Sequence, residues 1–155
     1  MKKLVKLLLC LTLVLALTGC GKEQTATYKM EQDTMGIKIS DTYVITAKGD
    51  KVTKMEEVCS IDISALDDAQ KEAVIATYDE QYGAMKDSAP DSVVFDISSD
   101  DNSYTVKVDY NIEGADLKAL ADAGYIQATN DGKILYVSFK QTCEGLVASG
   151  YSAVE

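Results

Sequence analysis

Hydrophobic and polar residues follow one another along this chain in three patterns: one continuous apolar run, several two-residue alternations, and several runs at helical spacing. The apolar run is Leu7 to Leu17, behind the basic stretch Met1 to Lys6 and ahead of Thr18, Gly19 and Cys20. A transmembrane helix needs roughly 20 apolar residues, so the run is too short to span. Its length and basic flank are those of a signal-peptide core, about 7 to 15 residues long.

Beyond it, Thr27 to Gln32 reads as a short strand, and Gly36 to Ala47 as a longer one rich in β-branched and aromatic residues. Lys48-Gly49-Asp50-Lys51 offers a turn, and Val52 to Ile63 returns as the partner strand. Ser64-Ala65-Leu66-Asp67 has the form of an N-terminal helix cap. Leu66, Ala69, Ala73, Val74, Tyr78, Tyr82 and Met85 then recur at helical spacing and predict a long helix that ends near Lys86, ahead of Pro90.

Val93 to Ser98 and Tyr104 to Tyr110 predict a second hairpin, the latter alternating cleanly between apolar and polar positions. Asp116 to Ala123 predicts a short helix stopped by Gly124, Lys133 to Phe139 a strand, and Thr142 to Ser149 a last helix closed by Gly150. Consecutive hairpins argue for an antiparallel sheet, here of about five to six strands, with one long and two short helices covering one face. The fold class is α+β. Residues 1–19 form the leader, 20–26 a modified cysteine and polar tether with a reach of roughly 13 Å, and 27–155 a single domain.

Charge narrows the partners. Three lysines leave with the leader, so 12 lysines face 25 carboxylates and the mature chain carries about −13. That balance offers nothing to nucleic acid, which is disfavoured as a partner. The chain has no histidine and no tryptophan, and all its cationic side chains are lysines. Histidine triads, histidine zinc sites and arginine phosphate clamps are therefore excluded by composition.

Leu17, Thr18, Gly19 and Cys20 resemble the lipobox of bacterial lipoproteins. The resemblance implies a lipid thioether on Cys20, cleavage just before it, and anchorage on the outer face of the cell membrane. More widely, the segments Thr42 to Val52 (TYVITAKGDKV), Val106 to Asp109 (VKVD), Asp116 to Leu120 (DLKAL) and Gly145 to Tyr151 (GLVASGY) resemble the YehR-like family of small bacterial lipoproteins. That family has no assigned molecular function. It implies a fold and a location, and it brings no active-site residues. Cys59 and Cys143 are not part of its pattern.

Removal of Cys10 with the leader and modification of Cys20 leave Cys59 and Cys143 as an even pair outside the cytoplasm. A disulfide between them is the leading expectation, with two separate thiols as the alternative. It would add on the order of 4.5 kcal/mol if the α-carbons lie within about 7 Å. Acidic clusters at Glu56-Glu57, Asp67-Asp68, Asp79-Glu80 and Asp100-Asp101-Asn102 offer oxygen ligands, but none has EF-hand spacing. Asp67 fits a helix cap, Asp79 and Glu80 a solvated helix face, and Asp100 to Asn102 a turn.

Nine tyrosines against two phenylalanines is an unusual aromatic balance. Tyr78 and Tyr82, one helical turn apart, and the strand residues Tyr43, Tyr104 and Tyr110 fit core-edge packing. They also fit a cleft lined by hydroxyls. No catalytic residue, metal ligand or cofactor is marked out. The expected role is a non-enzymatic envelope module that binds a protein or small ligand on the side turned from the lipid. A carboxylate- or lysine-based hydrolase and a tethered metal-binding domain are the alternatives.

Overall fold

The computed structural model describes residues 21–34, 36–126 and 135–154. The segments expected to be leader and lipobox lie outside them. Six strands form one antiparallel sheet: β1 (Glu23–Thr34), β2 (Ile37–Lys48), β3 (Lys51–Asp62), β4 (Val93–Ser99), β5 (Ser103–Asn111) and β6 (Ser152–Val154). Their order across the sheet is β4-β5-β3-β2-β1-β6. Helices α1 (Asp68–Asp87), α2 (Leu117–Asp122) and α3 (Phe139–Ala148) complete the α+β fold. Among the described residues no helix is long and apolar enough to cross a membrane.

Alternation sets the two faces of the sheet. Ile45, Val52, Ile61, Tyr104 and Val106 on one face are almost wholly buried, and Leu120 of α2 joins them in the core. A bulge at the Thr46/Ala47 position lets Val52 and Met55 both face inward, although their numbers differ in parity. On the outer face Lys54 and Lys107 alternate with Glu56 and Asp109, with N–O distances of 3.1 to 3.4 Å. Such half-exposed pairs contribute roughly 0.2 to 1 kcal/mol each, so stability rests on the covered face.

The helices stand on opposite sides of that covered face: α1 packs on β4, and α3 on β2 and β6. Within the capping signal Ser64 to Asp67, the cap of α1 is Asp67. Asp67 accepts from the Gln70 amide at 2.9 Å while the Gln70 side chain accepts from the Asp67 amide at 3.1 Å. Asp67→Ala removes this reciprocal pair and is expected to cost about 1 kcal/mol, read as a lowered urea midpoint with unchanged slope.

Two expectations are corrected. Residues 133–139 do not form a strand over their described part: Ser138 makes a single bridge to Lys51, and Phe139 opens α3. Ser138 caps α3, its hydroxyl oxygen accepting from the Gln141 amide at 3.2 Å, and tertiary contacts hold it in place. Asp50, in the β2–β3 turn, accepts from the Ser138 hydroxyl at 2.8 Å and from the Lys140 amide at 2.9 Å, and its carbonyl takes the Phe139 amide at 2.8 Å. β1 starts at Glu23, so residues 23–26 pair with β2 and do not hang as tether. β6, which no local pattern predicts, closes the sheet against β1 at Thr27 to Lys29.

Candidate functional site

Positions 37, 39, 41, 43 and 45 of β2 share the covered face with positions 55, 57, 59 and 61 of β3. Most are apolar, but Asp41 and Glu57 are acids. Asp41 lies opposite Cys59, and Tyr43 opposite Glu57, so the two carboxylates sit diagonally in adjacent strands. They occupy the strip between α1 and α3, where the floor is half-buried and not sealed.

Tyrosine hydroxyls converge on this pair. Tyr110 of β5 donates to Glu57 at 2.5 Å, and the Tyr43 hydroxyl also interacts with Glu57. Tyr151, just beyond α3, donates to Asp41, and its ring meets that of Tyr43 edge-on at 5.4 Å. Tyr82 of α1 reaches the Cys59 thiol, and Tyr28 of β1 the Cys143 thiol. Tyr78 and Tyr104 stack beside the strip at 5.6 Å, with the Tyr104 hydroxyl on Asp79 at 2.9 Å.

Burial pushes both carboxyls above the usual carboxylate range, against the hydroxyl bonds that pull them down. Asp41 adds its charge to the rise at Glu57. Burial and then Glu57 hold the Tyr43 and Tyr110 hydroxyls well above the usual phenol range. Cys59 is pushed up to about 11 by burial and then by Asp41, and burial also raises Cys143. Both thiols are therefore protonated at neutral pH and lack the thiolate that nucleophilic chemistry needs.

Among the described residues the ion pairs involve other acids, and no lysine approaches Asp41 or Glu57. Asp41 Oδ1 is buried without a hydrogen-bond partner, an arrangement that costs about 1 to 3 kcal/mol. Asp109 Oδ1, also without a hydrogen bond, has the Lys54 ammonium 3.2 Å away. The strip thus presents negative acceptors and aromatic rings without a resident cation. It suits a guest that donates hydrogen bonds or carries positive charge.

A family model described as DUF1307, a protein of unknown function, matches residues 24–152. The chain belongs to the DUF1307 family. Its sequence is 28% identical to the uncharacterized lipoprotein Lmo0207 of Listeria monocytogenes, over 99% of this chain and 97% of that protein. The fold of this DUF1307 member is similar to the NMR structure of the Escherichia coli YehR protein, with a TM-score of 0.55 and 25% identity over 86% of this chain and 92% of that one. A protein from Streptococcus pneumoniae TIGR4 shares the fold at a TM-score of 0.51 and 10% identity, over 89% and 88% of the two chains. The YehR-like resemblance read from the turns and helix ends is thus a family relationship.

Of the site residues that the sequence of this DUF1307 member suggests, Leu17, Thr18, Gly19 and Cys20 lie outside the described residues. Cys59 and Cys143 are free thiols, not a disulfide. Cys59 is on β3 facing α1, Cys143 faces β1, and β2 runs between those strands. Asp67 caps α1, and Asp100 accepts from the Asn102 and Ser103 amides in its turn. Among the described residues no three of Asp, Glu and Cys come together as a metal-ligand set.

Of the tyrosines singled out in the sequence, Tyr43 and Tyr110 reach Glu57 and Tyr82 reaches Cys59, while Tyr78 and Tyr104 stack alongside. Sequence reasoning missed Asp41, Glu57 and Tyr151. Reading Glu56-Glu57 as one acidic cluster hid that only Glu57 shares the inward parity of Met55, Cys59 and Ile61.

Proposed function

We propose that this protein is a lipid-anchored, non-enzymatic binding module of the cell envelope, and that the strip around Asp41 and Glu57 takes a small organic cation. The carrying observation is a pair of half-buried carboxylates without a cationic partner among the described residues, set among tyrosine rings on the covered face of the sheet. Valine or leucine at those two positions would fold the sheet more cheaply, so the acids point to a role outside folding. The lipoprotein name of the Listeria relative supports the anchor, together with the lipobox-like Leu17 to Cys20.

The strip's place in the domain agrees with a role away from the lipid. Asp41 is seven residues along β2 from Lys48, roughly 24 Å at a strand's rise per residue, and the chain leaves the anchor at the Lys48 end. Against catalysis stand two protonated thiols and the lack of any histidine or of a cation beside the carboxylates.

NMR titration of the soluble domain with tetramethylammonium and with putrescine, at low salt, tests the reading. Shifts confined to amides near residues 41–43 and 57–59, lost in Asp41→Asn and Glu57→Gln, are the expected result. Absence of any localised shift with either probe sinks the ligand class. Turnover of a hydrolysable substrate, lost in the same two variants, would replace the binding role with an enzymatic one.

A further inference from the structure

We infer that the end of the domain beside the anchor is itself a membrane-contact surface, on which Leu135 and Tyr136 enter the lipid interface. The inference rests on the lipid-anchor reading above. Only Gly21 and Lys22 separate Cys20 from β1, so three residue steps, at most about 11 Å, link the lipidated residue to the sheet. The Lys22 carbonyl is held by the Gly49 amide at 3.2 Å, which fixes the β2–β3 turn as the end nearest the bilayer.

Leu135 and Tyr136 belong to that same end. The residue after them, Val137, takes the Val52 amide on its carbonyl at 2.9 Å, and Ser138 bridges Lys51. Leu135 is 84% exposed, more than any other large apolar side chain of the described residues, and Tyr136 beside it is 47% exposed. A leucine beside a tyrosine is the pairing that interfaces favour: the aliphatic chain enters the acyl boundary, and the phenol stays at headgroup level.

Charge agrees with this placement. Lys22, Lys48, Lys51 and Lys140 gather at this end and offset Glu23, Asp50, Glu113 and Glu144. Asp91, just ahead of β4, and Asp116, which caps α2, add to the acids at this end, so it carries a small part of the charge of about −13 on the mature chain. An anionic bilayer therefore repels this end less than the rest of the domain. Tether, apolar pair and charge together select one orientation, with the Asp41 and Glu57 strip held off the membrane.

The chain has no tryptophan, so one introduced tryptophan is a clean reporter. Full-length lipidated Tyr136→Trp and Asp101→Trp are compared in vesicles of phosphatidylethanolamine and phosphatidylglycerol with brominated acyl chains. Asp101 lies in the β4–β5 turn at the opposite end, beyond the row formed by Ile39, Ile61 and Tyr104. Tyr136→Trp fluorescence is expected to shift to the blue and to be quenched several-fold more than that of Asp101→Trp. Equal, weak quenching of both in protein that floats with the vesicles overturns the contact surface and leaves the anchor standing. Protein that does not float removes the anchor reading itself. Leu135→Trp repeats the measurement if the first substitution disturbs the domain.

Discussion

Exported behind an ordinary secretory leader in place of residues 1–20, the domain is expected to leave the membrane fraction almost entirely, whereas the natural N-terminus holds it there. The size of the effect follows from acyl chemistry. Each buried methylene contributes about 0.8 kcal/mol, and a single acyl chain gives only marginal binding, while the two or three of a lipoprotein anchor hold stably. Without them only Leu135 and Tyr136 remain, and that pair orients the domain without retaining it.

Cys20→Ser within the natural leader is a different experiment. The lipid acceptor is lost, and with it the site for cleavage, so uncut precursor is expected to stay in the membrane through Leu7 to Leu17. Fractionation and intact mass separate the cases. Natural-leader protein recovered soluble, cut before Cys20 and carrying an unmodified thiol, would defeat the anchor reading.

Most of this architecture was legible because neighbours in sequence are neighbours in the sheet. β1–β2, β2–β3 and β4–β5 pair as consecutive hairpins, with alternation and turn residues in the sequence of each, and the β3–β5 pairing skips a single strand. What failed to show was decided by distant partners. β6 is three residues long and exists because β1 offers an open edge. Phe139 looks like strand, yet it begins a helix that Ser138 caps, and Asp50, far away in the chain, holds that cap by accepting from the Ser138 hydroxyl and the Lys140 amide.

The candidate site was hidden for a subtler reason. Asp41 and Glu57 each break an apolar track, Ile37-Ile39-Asp41-Tyr43-Ile45 on β2 and Met55-Glu57-Cys59-Ile61 on β3, and the lapse is visible in the sequence once parity is followed. Only the register shows that the two lapses meet. Tyr151 could not be placed at all, because it arrives at Asp41 from beyond the last helix.

Glu57→Gln is expected to stabilise the domain at neutral pH, on the order of 1 to 3 kcal/mol and hence several degrees in melting temperature. Glu57 sits half-buried with Tyr110 and Tyr43 as donors, while the charge of Asp41 adds to the rise and, among the described residues, no lysine pairs with it. Its pKa is raised in the folded state, so the native domain holds that proton more tightly than the unfolded chain does. The stabilisation from protonation is complete below the ordinary value of 4.5 and is lost as pH rises through the raised one. The penalty grows as pH rises through that raised value, and glutamine, which keeps an acceptor for Tyr110, removes it.

Two profiles follow. Wild type gains stability on acidification from pH 7 through the window above 4.5, and Glu57→Gln gains less over that window, because only Asp41 still titrates there on the covered face. At lower pH both proteins lose stability, as Glu31, Asp62, Asp100 and Asp109, whose pKa values are lowered in the fold, take up protons. Thermal melts at matched ionic strength decide the matter: a Glu57→Gln variant that melts lower than wild type at pH 7 means that the charge already has a stabilising partner in the fold. A bound organic cation reverses the ranking, because it stabilises only the protein that keeps the charge, by an amount that grows with its concentration. A residue that weakens the empty fold and strengthens the occupied one is the signature expected of a binding group, and the two melts taken together test that role independently of any assay of activity.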